Sequence, residues 1–365
     1  MNKVFVGMIL LLWQIVLPMS AQQFPTDQNK DLVISIIPVI QAWKIKSESD
    51  FSQLSSYLNI NYNFLRYTKL TINGAFASTT GDVEKLNGFS DSQIALSQKF
   101  DKLNLVLDAG VNIPSGKTKL NDEEFSTSKL IGQDFFNMRV SNYGQGLNLY
   151  FGGLWAFSAS DNVVLGLGTS YQIRGEYEPY QDDSSTYKPS DELLITAGAD
   201  FQLGKDNALT TDITAIFYGS DKINDEALFD SGDRIVITTL YKQFFGLSTL
   251  YILAGYRHQM LSHFNEDYIT IEDEKVNPDN IFVLVQYIQH LSKFISLGFS
   301  LKGNFYESTP SEYSGYNIFE YGLSPIFSLS KNIQLPFTFK FISGSTEDKP
   351  NILGYEAGFA LKFLF

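Results

Sequence analysis

Beyond its first twenty residues, this chain repeats one pattern: apolar residues at every second position over runs of about ten. In "LNLVLDAGVNI", Leu103, Leu105, Leu107, Ala109, Val111 and Ile113 share one face, and Asn104, Val106, Asp108, Gly110 and Asn112 share the other. "VVLGLGTSYQIRG", "LLITAGADFQLG" and "NIQLPFTFKF" read the same way. Period two is the mark of a strand with one apolar and one polar face. No stretch of similar length after residue 21 forms a convincing helical period. None approaches the roughly 18 apolar residues of a membrane helix.

Connectors between these runs alternate in length. Short ones fall near Arg66, Asp101, Asp161, Lys205, Gly246, Ser292 and Lys331. Long polar stretches separate them at Lys44–Ser52, Thr79–Gly88, Pro114–Tyr143, Glu176–Ser190, Gly219–Asp233, Gln259–Asp279, Tyr306–Gly315 and Ser343–Asn351. About eight hairpins follow, hence an all-β fold: a transmembrane antiparallel up-and-down β-barrel of about sixteen strands, with fourteen as the second count. A secreted β-sandwich also alternates. It is disfavoured because strand lengths approach the 9–11 residues that cross a bilayer with tilt. The polar face also holds glycines 110, 152, 166, 168, 198, 354 and 358, which suit a crowded, bending inner wall. Pro38 and Pro325 lie inside strands and predict a bulge at each. In "IFVLVQYIQHL" both faces are apolar.

The amino-terminal "MNKVFVGMILLLWQIVLPMSAQQ" has one lysine, an apolar run from Val4 to Leu17 and small residues before Gln22. It reads as a signal peptide over 1–21, cut after Ala21, followed by a short periplasmic segment 22–30 and one barrel domain over 31–365. The uncleaved-anchor alternative requires a longer run. The formal charge of −13 argues against nucleic acid as a partner. Absence of cysteine removes disulfides and thiolate metal sites.

The last segment, "LGYEAGFALKFLF", places Tyr355, Phe359, Leu361, Phe363 and Phe365 on one apolar face. A closing strand has no free edge, and in lipid its aromatic residues are solvated. The segment resembles the terminal signature of bacterial outer-membrane proteins. That resemblance implies recognition by the barrel assembly machinery, an outer-membrane location and outer-membrane lipids as surroundings. "GVNIPSGKTKL" carries a second, shorter resemblance in Ile113, Pro114, Ser115, Gly116 and Lys117. It is similar to a strand-end pattern of barrels associated with phenol meta-cleavage and of the long-chain fatty-acid transporter superfamily. It implies transport of hydrophobic or aromatic compounds. The segment before the first strand is too short for the hatch of fatty-acid transporters.

Charge at mid-depth on the lipid face costs about 2–4 kcal/mol for Lys or Arg, which sets the phase of every strand. That phase turns Asn104, Asp108, Gln172, Arg174, Asp200, Asp212, Arg257, Lys302, Lys340, Glu356 and Lys362 into the lumen as candidate pore-lining residues. They either border a water-filled path or pair across the interior for stability. Pro114–Gly144, the third long loop, is a candidate constriction carrying Lys117, Lys119, Glu123, Glu124, Phe135, Phe136 and Arg139. A lid across the mouth and an external flap are the other arrangements.

The neighbours Ser262 and His263 suggest a hydrolase fragment, but adjacent residues in extended chain point to opposite faces. The acidic stretches Asp221–Asp233 and Glu266–Asp279 lack calcium-loop spacing and read as solvated loops. No metal, cofactor or catalytic residue is implied. The expected function is a porin-like channel passing small solutes of unidentified kind. The alternatives are a transporter of hydrophobic or aromatic compounds with a lateral exit, and a non-transport secretion or surface-assembly barrel.

Overall fold

The computed structural model describes residues 30–45, 50–264, 275–309, 315–346 and 350–365. The expected leader, residues 22–29 and the acidic positions Glu266, Asp267, Glu272, Asp273 and Glu274 lie outside the described residues.

Sixteen antiparallel strands close on themselves, the expected count. In order they are β1 (Leu32–Ile45), β2 (Asp50–Leu65), β3 (Thr68–Gly81), β4 (Leu86–Phe89 continued by Ser92–Phe100), β5 (Leu105–Ile113), β6 (Asn148–Ser160), β7 (Val163–Arg174) and β8 (Glu192–Gln202). There follow β9 (Asn207–Tyr218), β10 (Arg234–Phe245), β11 (Ser248–Gln259), β12 (Asn280–His290), β13 (Ile295–Tyr306), β14 (Tyr316–Ser328), β15 (Ile333–Thr346) and β16 (Pro350–Phe359 continued by Leu361–Leu364). Each pairs with the next, and β16 pairs with β1, Gln41 opposite Glu356 and Ser35 opposite Lys362.

The alternation read from the sequence is the alternation of the wall. Ile36, Ile40, Leu54, Leu58, Leu167, Ile195, Ile213, Phe299, Phe339 and Tyr355 point outward and are 42–57% exposed. So continuous an apolar exterior is far larger than the few hundred Å² that soluble monomers leave bare, and hydrocarbon is the solvent that tolerates it. Tyr355, Phe359, Leu361, Phe363 and Phe365 belong to this outer face.

One rim carries seven connections of two to four residues, at the seven short turns read from the sequence. The other carries the long loops, with three corrections. The stretches Lys44–Ser52, Thr79–Gly88 and Ser343–Asn351 are largely strand: β1 runs to Ile45 and β2 starts at Asp50, β3 runs to Gly81 and β4 starts at Leu86, and β15 runs to Thr346 and β16 starts at Pro350. These strands run on because their inward residues there, Trp43, Phe51, Ala77, Leu86, Ile342 and Ile352, are buried in an apolar cluster inside the mouth. Beyond the rim, Tyr187–Lys188, Ser220–Ile223, Glu226–Asp230 and His263–Phe264 form a small four-stranded sheet. The acidic stretch near Asp225 is therefore a hairpin, turning through Asn224 and Asp225 at positive φ.

The prolines do not make the expected bulges. Register continues unchanged past Pro38 against β2, and past Pro325 against β13. Instead the ladder is interrupted on their other side. Ile37 and Pro38 are unpaired with β16, and Ser324 and Pro325 are unpaired with β15. A missing N–H removes a hydrogen bond without adding a residue, and neighbouring pairs keep the register.

Candidate functional site

The third loop, residues 114–147, starts from one carboxylate. Asp91, in the break within β4, accepts from Gly116 N–H at 3.0 Å and from Gln145 N–H at 2.7 Å, tying both ends of the loop to the wall. Ser115 Oγ accepts from Ser92 N–H at 2.9 Å. A Cβ on Gly116 would lie 1.9 Å from the Tyr143 carbonyl oxygen, so glycine is required at this crossing. The short Pro-Ser-Gly resemblance thus marks the hinge of the loop.

The loop then forms a helix absent from the sequence reading, α1 (Asp122–Ile131). Asn121 caps it by accepting from Glu124 N–H at 2.8 Å, Glu124 reaches back to Asn121 N–H, and Asp122 and Glu123 favour the first turn. A tight turn, Asp134–Phe136, ends at Asn137 with φ 47° and drives two phenylalanines into the barrel. Phe136 meets Trp43 and Phe51 edge-on at 5.1 and 5.0 Å between ring centres. Phe135 stacks on Tyr316 at 4.2 Å. With Leu120, Ile131, Met138, Val140 and Tyr143 they make a buried apolar cluster against β1–β4 and β14–β16.

Two glutamines then hold the loop backbone as a neighbouring strand would. Gln41 donates to Asn137 O at 3.2 Å and accepts from Arg139 N–H at 2.7 Å. Gln53 donates to Val140 O at 2.7 Å and accepts from Val140 N–H at 3.0 Å. A primary amide offers the same donor and acceptor as a peptide group, so the ladder continues from the wall onto the loop. Tyr57 donates its hydroxyl to Arg139 O. Composition gave no hint of these roles. The only signal available was that all three fall on inward positions.

Charge fixes the loop at two places. Arg139 forms a two-pronged pair with Glu356, one prong at 3.2 Å. Glu356 is also 3.4 Å from Lys340, which is 3.4 Å from Glu320, itself 3.2 Å from Lys302. An alternating ladder thus crosses β13 to β16 and ends on the loop. At the other place, Asp134 of the loop pairs with Arg257 of β11 at 2.5 Å.

Of the residues assigned to the lumen, Asp108, Gln172, Arg174, Asp200, Asp212, Arg257, Lys302, Lys340, Glu356 and Lys362 sit on inward positions. Asn104 does not: it is the left-handed cap, φ 49°, of the Asp101–Leu103 turn on the short-turn rim. Leu103 and Asn104 continue the period in sequence, but the chain has already turned. Lys302, Lys340 and Glu356 are committed to the ladder, and Arg174 pairs with Glu192 on β8. Asp200 accepts from Thr210, while one buried oxygen of Asp212 has no partner, and neither forms an ion pair among the described residues. On the loop, Lys117 pairs with Glu124 and Lys119 with Glu178 at 2.5 Å, at its outer end, and Glu123 is exposed on α1. The phenylalanines face the cluster rather than open lumen. On the inward face of β10–β12, the apolar Val236, Leu240, Leu253, Phe282, Leu284 and Ile288 alternate with Thr238, Lys242, Tyr251 and Gln286. This explains the doubly apolar stretch of β12.

Ser262 is buried and its Oγ accepts from Gly232 N–H at 3.0 Å, while His263 pairs in register with Asp230 in the loop sheet. Both contacts tie the loops together.

No protein-family model and no curated protein matches the chain. Among solved structures it is similar to OccK5 (OpdH) of Pseudomonas aeruginosa, at 9% identity and a TM-score of 0.50 over 92% of this chain and 98% of that one. It is also similar to OccAB1 of Acinetobacter baumannii, at 9% identity and a TM-score of 0.50 over 94% and 99%. The likeness covers more than nine-tenths of the chain, and with the apolar exterior it gives the architecture: this chain is a sixteen-stranded β-barrel of the bacterial outer-membrane kind.

Proposed function

We propose that the protein is a channel that passes small solutes through a lumen narrowed by its third loop. One observation carries the reading: loop 114–147 lies inside the barrel mouth, fixed by Gln41, Gln53 and Glu356 on one side and Arg257 on another. A loop that only covered the mouth would not bury two phenylalanines below the rim. Its apolar packing is against β1–β4 and β14–β16 and its Asp134–Arg257 pair reaches β11, so the proposed path runs along β5–β10. There Asp200 and Asp212 would draw cations, while the ladder sets three cations against two carboxylates. Constrictions select by the charge and size of what they leave open.

The test is conductance across a planar bilayer. The wild-type protein is expected to conduct, and Asp200→Asn with Asp212→Asn is expected to lower cation preference in the reversal potential. A folded barrel that neither conducts nor admits solute into liposomes would overturn the reading.

The apolar inward residues of β10–β12, Leu240, Leu253, Phe282, Leu284 and Ile288 among them, favour a second reading, transport of hydrophobic or aromatic compounds. Liposomes taking up an aromatic acid much faster than a sugar of equal size would select it. Assembly through the terminal strand Tyr355–Phe365 completes the proposal; no metal or cofactor enters it.

A further inference from the structure

On the outer side of the long-loop rim, where the apolar band ends, lies a hollow of about 340 Å³. Its floor is the lipid-facing row Tyr171, Leu193 and Phe217. Its roof is the start of the small loop sheet, with Lys188 and Lys222 both lining it. These two lysines are direct cross-strand partners, Lys222 opposite Lys188. Like charges in that position repel and destabilise the pair unless something anionic sits between them. No carboxylate serves: neither lysine forms an ion pair among the described residues. Asp191, the one acid lining the hollow, is occupied by Tyr171 hydroxyl at 3.2 Å and Arg174 N–H at 2.9 Å. Asp221 and Lys222 are consecutive in a strand and point to opposite faces. Asp221 takes Tyr187 hydroxyl and Ser190 N–H, and Lys222 lines the hollow.

We propose that this hollow holds the phosphorylated headgroup of a membrane lipid, the phosphate between Lys188 and Lys222 and the chains running down over Leu193 and Phe217. The chemistry fits the place. Paired ammonium groups above an aromatic and aliphatic slope match an anionic head on an apolar tail, at the depth where headgroups lie. Two unneutralised lysines directly opposite each other at the membrane boundary are otherwise unfavourable. The site is on the outer wall and does not depend on whether the lumen conducts.

The experiment uses the whole barrel in neutral detergent, titrated with phosphatidic acid or phosphatidylcholine and read by native mass spectrometry and thermal unfolding. The wild-type protein is expected to retain phosphatidic acid over phosphatidylcholine by at least about five-fold, the scale of one lysine at a membrane surface. Lys188→Gln with Lys222→Gln should remove that preference. Lys188→Arg with Lys222→Arg should keep it, which separates charge from a folding defect. Without lipid, the glutamine variant should unfold no earlier than wild type, since repulsion is relieved. A preference retained by the glutamine variant would overturn the proposal. So would stabilisation by inorganic phosphate equal to that by the lipid, which would make the hollow a free-anion site.

Discussion

At the scale of single residues, the third loop depends on side chains that behave as backbone. Gln53 is fully buried and makes both of its backbone bonds to Val140. Each such bond contributes about 0.5–1.5 kcal/mol, and leaving its buried partners unmet costs more. Gln53→Ala is therefore expected to destabilise the barrel by about 1–3 kcal/mol in urea unfolding from micelles. Single-channel current should become larger and noisier as the loop loosens; unchanged stability and quiet current would contradict the assignment. In the sequence Gln53 stands inside a polar run, "FSQLSSY", and is not among the residues assigned to the lumen. The sequence could not show what Gln53 meets, since Val140 is 87 residues away in a loop with no period. Arg139 was legible as a charged loop residue, but its partner Glu356 becomes a neighbour only through closure of the wall.

At the scale of elements, strands were the most readable part, because each one repeats its in-and-out pattern five or six times. Helix α1 was not, since it is held by the Asn121–Glu124 cap within a polar segment and presents only Thr127 and Ile131 as buried residues. Bulges at Pro38 and Pro325 failed for another reason: a lost hydrogen bond is absorbed by strong pairing on the opposite side. The joint between β11 and β12 has its own lock. Asp279 accepts from Gln259 N–H at 3.0 Å and Tyr256 hydroxyl at 3.0 Å, and lies 2.9 Å from Lys275 and 2.8 Å from His258. Burial pushes its carboxyl up, but these donors outweigh burial and hold it down at about 2. A carboxyl depressed by folding adds stability above its unfolded value of about 3.9, and that stability is lost as pH falls through about 2. Thermal unfolding should therefore fall between pH 4 and pH 2 more steeply for wild type than for Asp279→Asn. Parallel curves would show that the joint adds nothing.

At the scale of the whole molecule, the alternation implied both an exterior that water does not solvate and a wall without edges. The chain from Gln22 onward is expected to refold only with micelles or bilayers and to aggregate in plain buffer. Sedimentation decides this, a folded monomer without detergent being the contrary result. Which inward residues oppose one another was beyond the sequence, because register across sixteen strands is set by the turns together and by no single strand. The seat of the third loop shows what this means for biogenesis. Gln41 belongs to the first strand, Gln53 to the second and Glu356 to the last, and Gln41 itself bonds Glu356 at 3.2 Å. Until the two ends of the ribbon join, the seat has only part of its donors and acceptors. An unzipped intermediate has nowhere to lodge its plug, so narrowing of the mouth reports that assembly is complete.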